Sequence, residues 1–136
     1  MEQINKLIVL LMAIQNFAKD IHYNCKGESF YSKHILCDRI SKDISNYIDS
    51  IKELFFLAAD EEPLSSKEYL KGASELVPII SSEDDKSFKA LAVLLVNTLQ
   101  HIEGFKDLTK GEDNLIGAIA ENLQVSLGLV NRQIKS

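Results

Sequence analysis

The feature that most constrains this chain is the spacing of its apolar residues. They recur every three or four positions through four long stretches, and no convincing strand pattern appears. Ile4, Leu7, Leu11, Ile14, Ala18 and Ile21 form one stripe, continued by Cys25, so the spacing predicts a helix over about Gln3 to Cys25 that stops at Gly27. A second helix, capped by Ser32 and ending near Asp60, carries Leu36, Ile40, Ile44, Tyr47, Ile48, Ile51, Leu54 and Phe55 on one face. The two prolines, Pro63 and Pro78, both fall in the stretch after it. There Ser65-Ser66-Lys67-Glu68 reads as a cap before a short helix, Glu68 to Ala73. A third long helix is expected over about Asp85 to Gly104, with Leu91, Leu94, Leu95, Thr98, Leu99 and Ile102 as its core side. Lys110 to Asn114 reads as a turn with an acidic helix start, and a fourth helix follows over about Asp113 to Gln133.

Four long helices and one short connector make an all-α bundle. The connection between the second and third helices is long enough to cross the length of the bundle, which belongs to the ferritin-like variant of the four-helix bundle. A chain of 136 residues, 46% hydrophobic, supports one compact core, so residues 1–136 are expected to form a single domain. The longest apolar run, Leu7 to Ile14, is far short of the ~20 residues that span a bilayer. It also lacks the flanks of a signal peptide, so no membrane partner is expected. Two cysteines without a paired framework point to a reducing, cytoplasmic setting. Fifteen basic against twenty acidic residues disfavour simple electrostatic binding to nucleic acid.

The residues able to do chemistry gather on the second helix. His34 and Asp38 are one i, i+4 pair, and Asp49 and Glu53 are another. All four fall within an arc of ~100°, roughly opposite the stripe of Leu36, Ile40, Ile44 and Ile51. Eleven residues at ~1.5 Å rise put about 16 Å between the pairs, so one chain cannot bring both to a single metal. A second copy removes the difficulty. With the helix antiparallel to its twin about a two-fold axis near Asp43 and Ile44, the first pair of each copy faces the second pair of the other. His22, on the neighbouring edge of the first helix, can join His34. Two imidazoles and three carboxylates suit first-row divalent metals, iron included.

At these residues the sequence resembles the Dps proteins, the mini-ferritins. The run His22-Tyr23-Asn24-Cys25-Lys26-Gly27-Glu28-Ser29-Phe30-Tyr31-Ser32-Lys33-His34-Ile35-Leu36-Cys37-Asp38 is similar to the family's signature, and Asp49 and Glu53 fall on its two later acidic positions. Pro63 to Leu70 resembles the family's loop and short interhelical helix. The resemblance implies a shell of twelve subunits that oxidises Fe(II), usually with hydrogen peroxide, and stores ferric mineral. It implies two irons per intersubunit site, with His22, His34 and Asp38 from one subunit and Asp49 and Glu53 from its mate, these five being both metal-binding and catalytic. Asp107, Glu112 and Asp113 are pore candidates by loose alignment.

The chain also departs from the family. Tyr23 stands where Trp is usual, the final helix lacks a late His and Trp, and Met1 to Leu10, with one lysine and one glutamate, does not resemble the family's basic N-terminal tail. The C-terminus offers only Arg132 and Lys135, so DNA binding by a basic tail is not expected. His22, Cys25, His34 and Cys37 form a minor alternative as a zinc site, against which buried free cysteine is the commoner reading. His101 reads as a helix-end or surface residue rather than a ligand. The alternative function is a non-catalytic helical assembly or interaction protein of the same fold, with or without a structural metal.

Overall fold

The computed structural model describes residues 1–134, so Lys135 lies outside the described residues. Five α-helices make up the fold, with no strand among the described residues: α1 (Glu2–Asn24), α2 (Phe30–Lys52), α3 (Ser66–Leu76), α4 (Asp84–Glu103) and α5 (Lys110–Ile134). This is the all-α ferritin-like bundle that the apolar spacing predicts. A π-helical turn, Glu53–Leu57, prolongs α2, with the amide of Ala58 donating to the Glu53 carbonyl at 2.8 Å.

Contacts at the two ends fix the topology. At one end Asp84, opening α4, accepts from Lys33 near the start of α2 and from the backbone amide of Lys26 after α1. At the other end His101 and Lys106 meet Gln3. Gln133 near the end of α5 reaches Ser32 at the start of α2. Helices α1 and α4 are therefore antiparallel, as are α2 and α5, and the chain between α2 and α4 travels the full length of the bundle. Helix α3 rides on that crossover. It packs against α1, where the Tyr69 hydroxyl donates to Asn5 at 2.6 Å and Gly72 meets Val9. A Cβ at Gly72 would stand 3.0 Å from a Val9 methyl, so the helices approach this closely only because position 72 has no side chain.

Helix α1 touches α2, α3 and α4, and its buried set is correspondingly broad: Leu7, Ile8, Leu11, Ala13, Ile14, Phe17 and Ala18 are fully buried. Burying a Leu, Ile or Phe contributes about 1.5–3 kcal/mol each, so α1 is the pillar of the core. Helix α2 buries a narrower face, Cys37, Ile40, Ile44 and Ile51, continued by Phe55 in the π turn, and leaves the opposite face polar.

Three local expectations are corrected. Ser32 does not cap α2. Gly27 (φ 77°) and Ser29 (φ 61°) are both left-handed and turn the chain sharply, so the helix begins at Phe30 and the Ser32 hydroxyl bonds back to the Ser29 carbonyl. The short helix extends on both sides of Glu68–Ala73, because Ser65 and Glu68 form a complete capping box that starts it at Ser66. Lys110 and Gly111 are helical rather than a turn. The side chains of Thr109 and Glu112 each bond the other's backbone amide, a second capping box upstream of the expected start.

Candidate metal centre

His22 sits in the last turn of α1 and His34 one turn into α2. The hairpin between them brings the rings into a stack, with centroids 3.7 Å apart and planes at 17°. Each Nδ1 lies against the backbone carbonyl of the other residue, at 2.8 Å for His22 and 2.9 Å for His34. A carbonyl only accepts, so both Nδ1 atoms carry the proton. In the neutral rings Nε2 is then the nitrogen with a free lone pair. Backbone carbonyls on the far nitrogen are how metal-binding imidazoles are oriented and their tautomer fixed. Phe30 stacks on His34 (5.3 Å) and Tyr23 meets His22 edge-on (5.0 Å), so the imidazole pair has aromatic neighbours.

Asp38 follows His34 by one turn. Its carboxylate is bonded to the ammonium of Lys42 at 2.8 Å. Lys42 holds the carboxyl below the ordinary carboxylate range, and the charges of His22 and Lys19 add to this. Lys42 escaped the sequence reading, although it stands four residues after Asp38 and within the same arc. Asp49 and Glu53 are paired at the far end of α2, both exposed. Here the effect is opposite: a hydrogen bond from Glu53 to Asp49, and the repulsion between the two charges, push Glu53 above the ordinary range.

The structure thus stacks His22 on His34, sets Asp38 one turn further along α2, and leaves Asp49 and Glu53 at the far end of the helix. Among the described residues no three His, Cys, Asp or Glu side chains are arranged to hold a metal within one chain.

The other candidates divide. Cys25 and Cys37 are buried in the core, where burial raises both thiols, Cys37 to about 12. Thiols held protonated in apolar surroundings are structural rather than coordinating. Of the pore candidates, Glu112 is committed to Thr109 as a cap, while Asp107 is exposed in a left-handed turn and Asp113 is exposed on α5. Lys106 and Lys110 stand beside Asp107 and Asp113 around one shallow hollow, so that corner is mixed in charge. The imidazole of His101 bonds the Gln3 carbonyl at 2.8 Å and fastens α4 to α1. No helix among the described residues is long and apolar enough to cross a membrane.

No family model and no curated protein matches the chain in sequence. Solved structures do match in fold. A point mutant of Dps1 from Mycobacterium smegmatis superposes with a TM-score of 0.76 at 16% identity, covering 98% of this chain and 93% of that one. The DPS protein of Vibrio cholerae O1, described as one of a broad superfamily of ferritin-like diiron-carboxylate proteins, gives 0.68 at 18% identity, covering 98% and 87%. The fold is therefore that of Dps structures over almost the whole chain.

Proposed function

We propose that this chain is a Dps-like ferroxidase, oxidising Fe(II) with hydrogen peroxide at sites shared between two subunits. The observation that carries the proposal is the imidazole pair of His22 and His34, each ring fixed by the other residue's carbonyl with Nε2 left free. His34 shares its arc of α2 with Asp38, Asp49 and Glu53.

The spacing supports a shared site. His34 and Glu53 have the same midpoint along α2 as Asp38 and Asp49, between Asp43 and Ile44. A single two-fold axis there pairs His34 with the mate's Glu53 and Asp38 with the mate's Asp49, and makes two equivalent sites per dimer. The ends of the stripe are exposed and apolar: Tyr31 (72%) and Ile35 (46%) at one end, Leu57 (77%) at the other. Antiparallel pairing sets Leu57 near the mate's Phe30 and Tyr31, which gives the contact apolar flanks around a polar centre.

Iron is the substrate in this reading, two Fe(II) at each site. The imidazoles and carboxylates hold both ions close enough to give one electron each to a peroxide, whose O–O bond breaks. With two waters the products are two ferric oxyhydroxide units and four protons. Spreading the two electrons over two irons avoids releasing a one-electron oxygen radical. Twelve subunits closing into a shell would keep the ferric mineral inside, and a reducing cytoplasm would supply the Fe(II). Asp107 and Asp113 are the proposed lining of an iron entry pore.

The test is Fe(II) addition with peroxide, followed by ferric absorbance, on the unmodified protein and on His34→Ala and Glu53→Ala. Both variants are expected to lose rapid oxidation while keeping the assembly. Unchanged oxidation in both would remove the site. Native mass should give a particle of about twelve times 15.3 kDa.

A further inference from the structure

We infer that Lys42 is a built-in stand-in for the incoming cation, so that a divalent metal reaches Asp38 by displacing the Lys42 ammonium. This rests on the reading of Asp38 as a ligand.

Three observations converge on it. First, the Lys42 ammonium occupies the Asp38 carboxylate directly, 2.8 Å from Oδ2. Second, Lys42 lies on the same polar face of α2 as the proposed ligands. It follows His34 by eight residues and so stands ~80° round, between Asp38 and Glu53 in the ligand arc. A cation fixed there sits among the side chains that would hold the metal. Third, Lys42 has one carboxylate partner among the described residues. The nearby Asp43 is engaged by Arg39 and Asn122 instead. On the two-fold that matches Asp38 with Asp49, Lys42 matches the mate's Ser45, which offers no replacement charge.

Exposure agrees with a displaceable group. In the single chain the Asp38 side chain is 25% exposed and that of Lys42 is 71%, so nothing among the described residues of its own subunit beyond Asp38 holds the flexible ammonium in place. A one-for-one exchange weakens any cation that gains only Asp38. A metal that gains an imidazole and a carboxylate of the mate along with Asp38 is held despite the competition. Lys42 is therefore a positioning and selectivity residue. It keeps the empty carboxylate oriented and sets how many ligands a cation must gain to stay.

Calorimetric titration of the assembled protein with Co(II), an air-stable divalent probe, tests this. Lys42→Met is expected to tighten Co(II) about three- to tenfold, as removal of a unit charge a few ångströms from a partly screened cation predicts. Lys42→Arg, which keeps the charge, should stay within about twofold of the unmodified protein. Tm and native mass should be the same for all three, which separates the effect from a structural one. Unchanged or weaker binding in Lys42→Met, with Asp38→Asn still weakening Co(II), overturns the role of Lys42 and leaves the site standing. No loss in Asp38→Asn, or no binding by the unmodified protein, overturns the site and this inference together.

Discussion

The two ends of α2 carry the same kind of chemistry in different physical states. At the N-terminal end the imidazoles of His22 and His34 are built in, with Asp38 one turn further on. Carbonyls lock both imidazoles, aromatic rings flank them, and the half-buried Lys33–Asp84 ion pair at 3.1 Å ties the corner to α4. At the C-terminal end Asp49 and Glu53 stand in solvent beside each other, where the helix passes into a π turn. Such turns occur often at functional sites. In the proposed shared site, the chain by itself would preorganise the imidazole half and leave the carboxylate pair to be ordered by the mate.

The sharpest way to break this comparison is to delete one ligand from each end. If the halves belong to one shared site, His34→Ala and Glu53→Ala each cost most of the iron-oxidation rate, on the order of 100-fold or more. A large loss in one and none in the other would make the ends independent. A second, smaller difference is expected in stability. Asp84→Ala removes the partner of Lys33 and the acceptor of the Lys26 amide, so it should destabilise the chain by about 2 kcal/mol, or roughly 6 °C in Tm. Asp49→Ala, in solvent, should leave Tm within about 2 °C. Equal losses in a thermal melt would contradict the division into a built-in and an open half.

The smallest effect is a difference in sign. The Asp38 carboxyl lies below its ordinary 3.8, so its pairing with Lys42 contributes above that pH and is lost as pH falls through the lowered value. The Glu53 carboxyl lies above its ordinary 4.5, so its proton-sharing with Asp49 is present below that pH and is lost as pH rises through the raised value. Carboxyl carbon NMR on the metal-free protein should show Glu53 titrating well before Asp38 on acidification. Asp49→Asn should bring Glu53 back towards 4.5. A shared midpoint for the two groups would erase the contrast.

Much of this was legible in the sequence. The helices, the crossover and the arc that holds His34, Asp38, Asp49 and Glu53 follow from periodicity, because a 3.6-residue repeat places side chains on faces without knowledge of packing. What was not legible depends on backbone turns and side-chain reach. The true start of α2 is decided by left-handed Gly27 and Ser29, and that of α5 by the Thr109–Glu112 box, where the serine and glycine signals nearby pointed elsewhere. The stacking of His22 on His34 depends on how α1 meets α2, and spacing alone gave only their adjacency. Lys42 was visible as an i, i+4 partner of Asp38, but such pairs are common on solvated faces and the residue carried no further mark.

Subunit mixing tests the shared site most directly. Neither His34→Ala nor Glu53→Ala alone has an intact pair of halves in a two-fold site. Dissociated and reassembled together at equal amounts, they should form mixed dimers in which one of the two sites is whole, restoring about a quarter of the unmodified protein's rapid peroxide-dependent Fe(II) oxidation. Recovery to that level is the expected result. If mixed assemblies form, as native mass would show, and oxidation stays at the level of the separate variants, the ligands do not come from two chains and the shared centre is refuted.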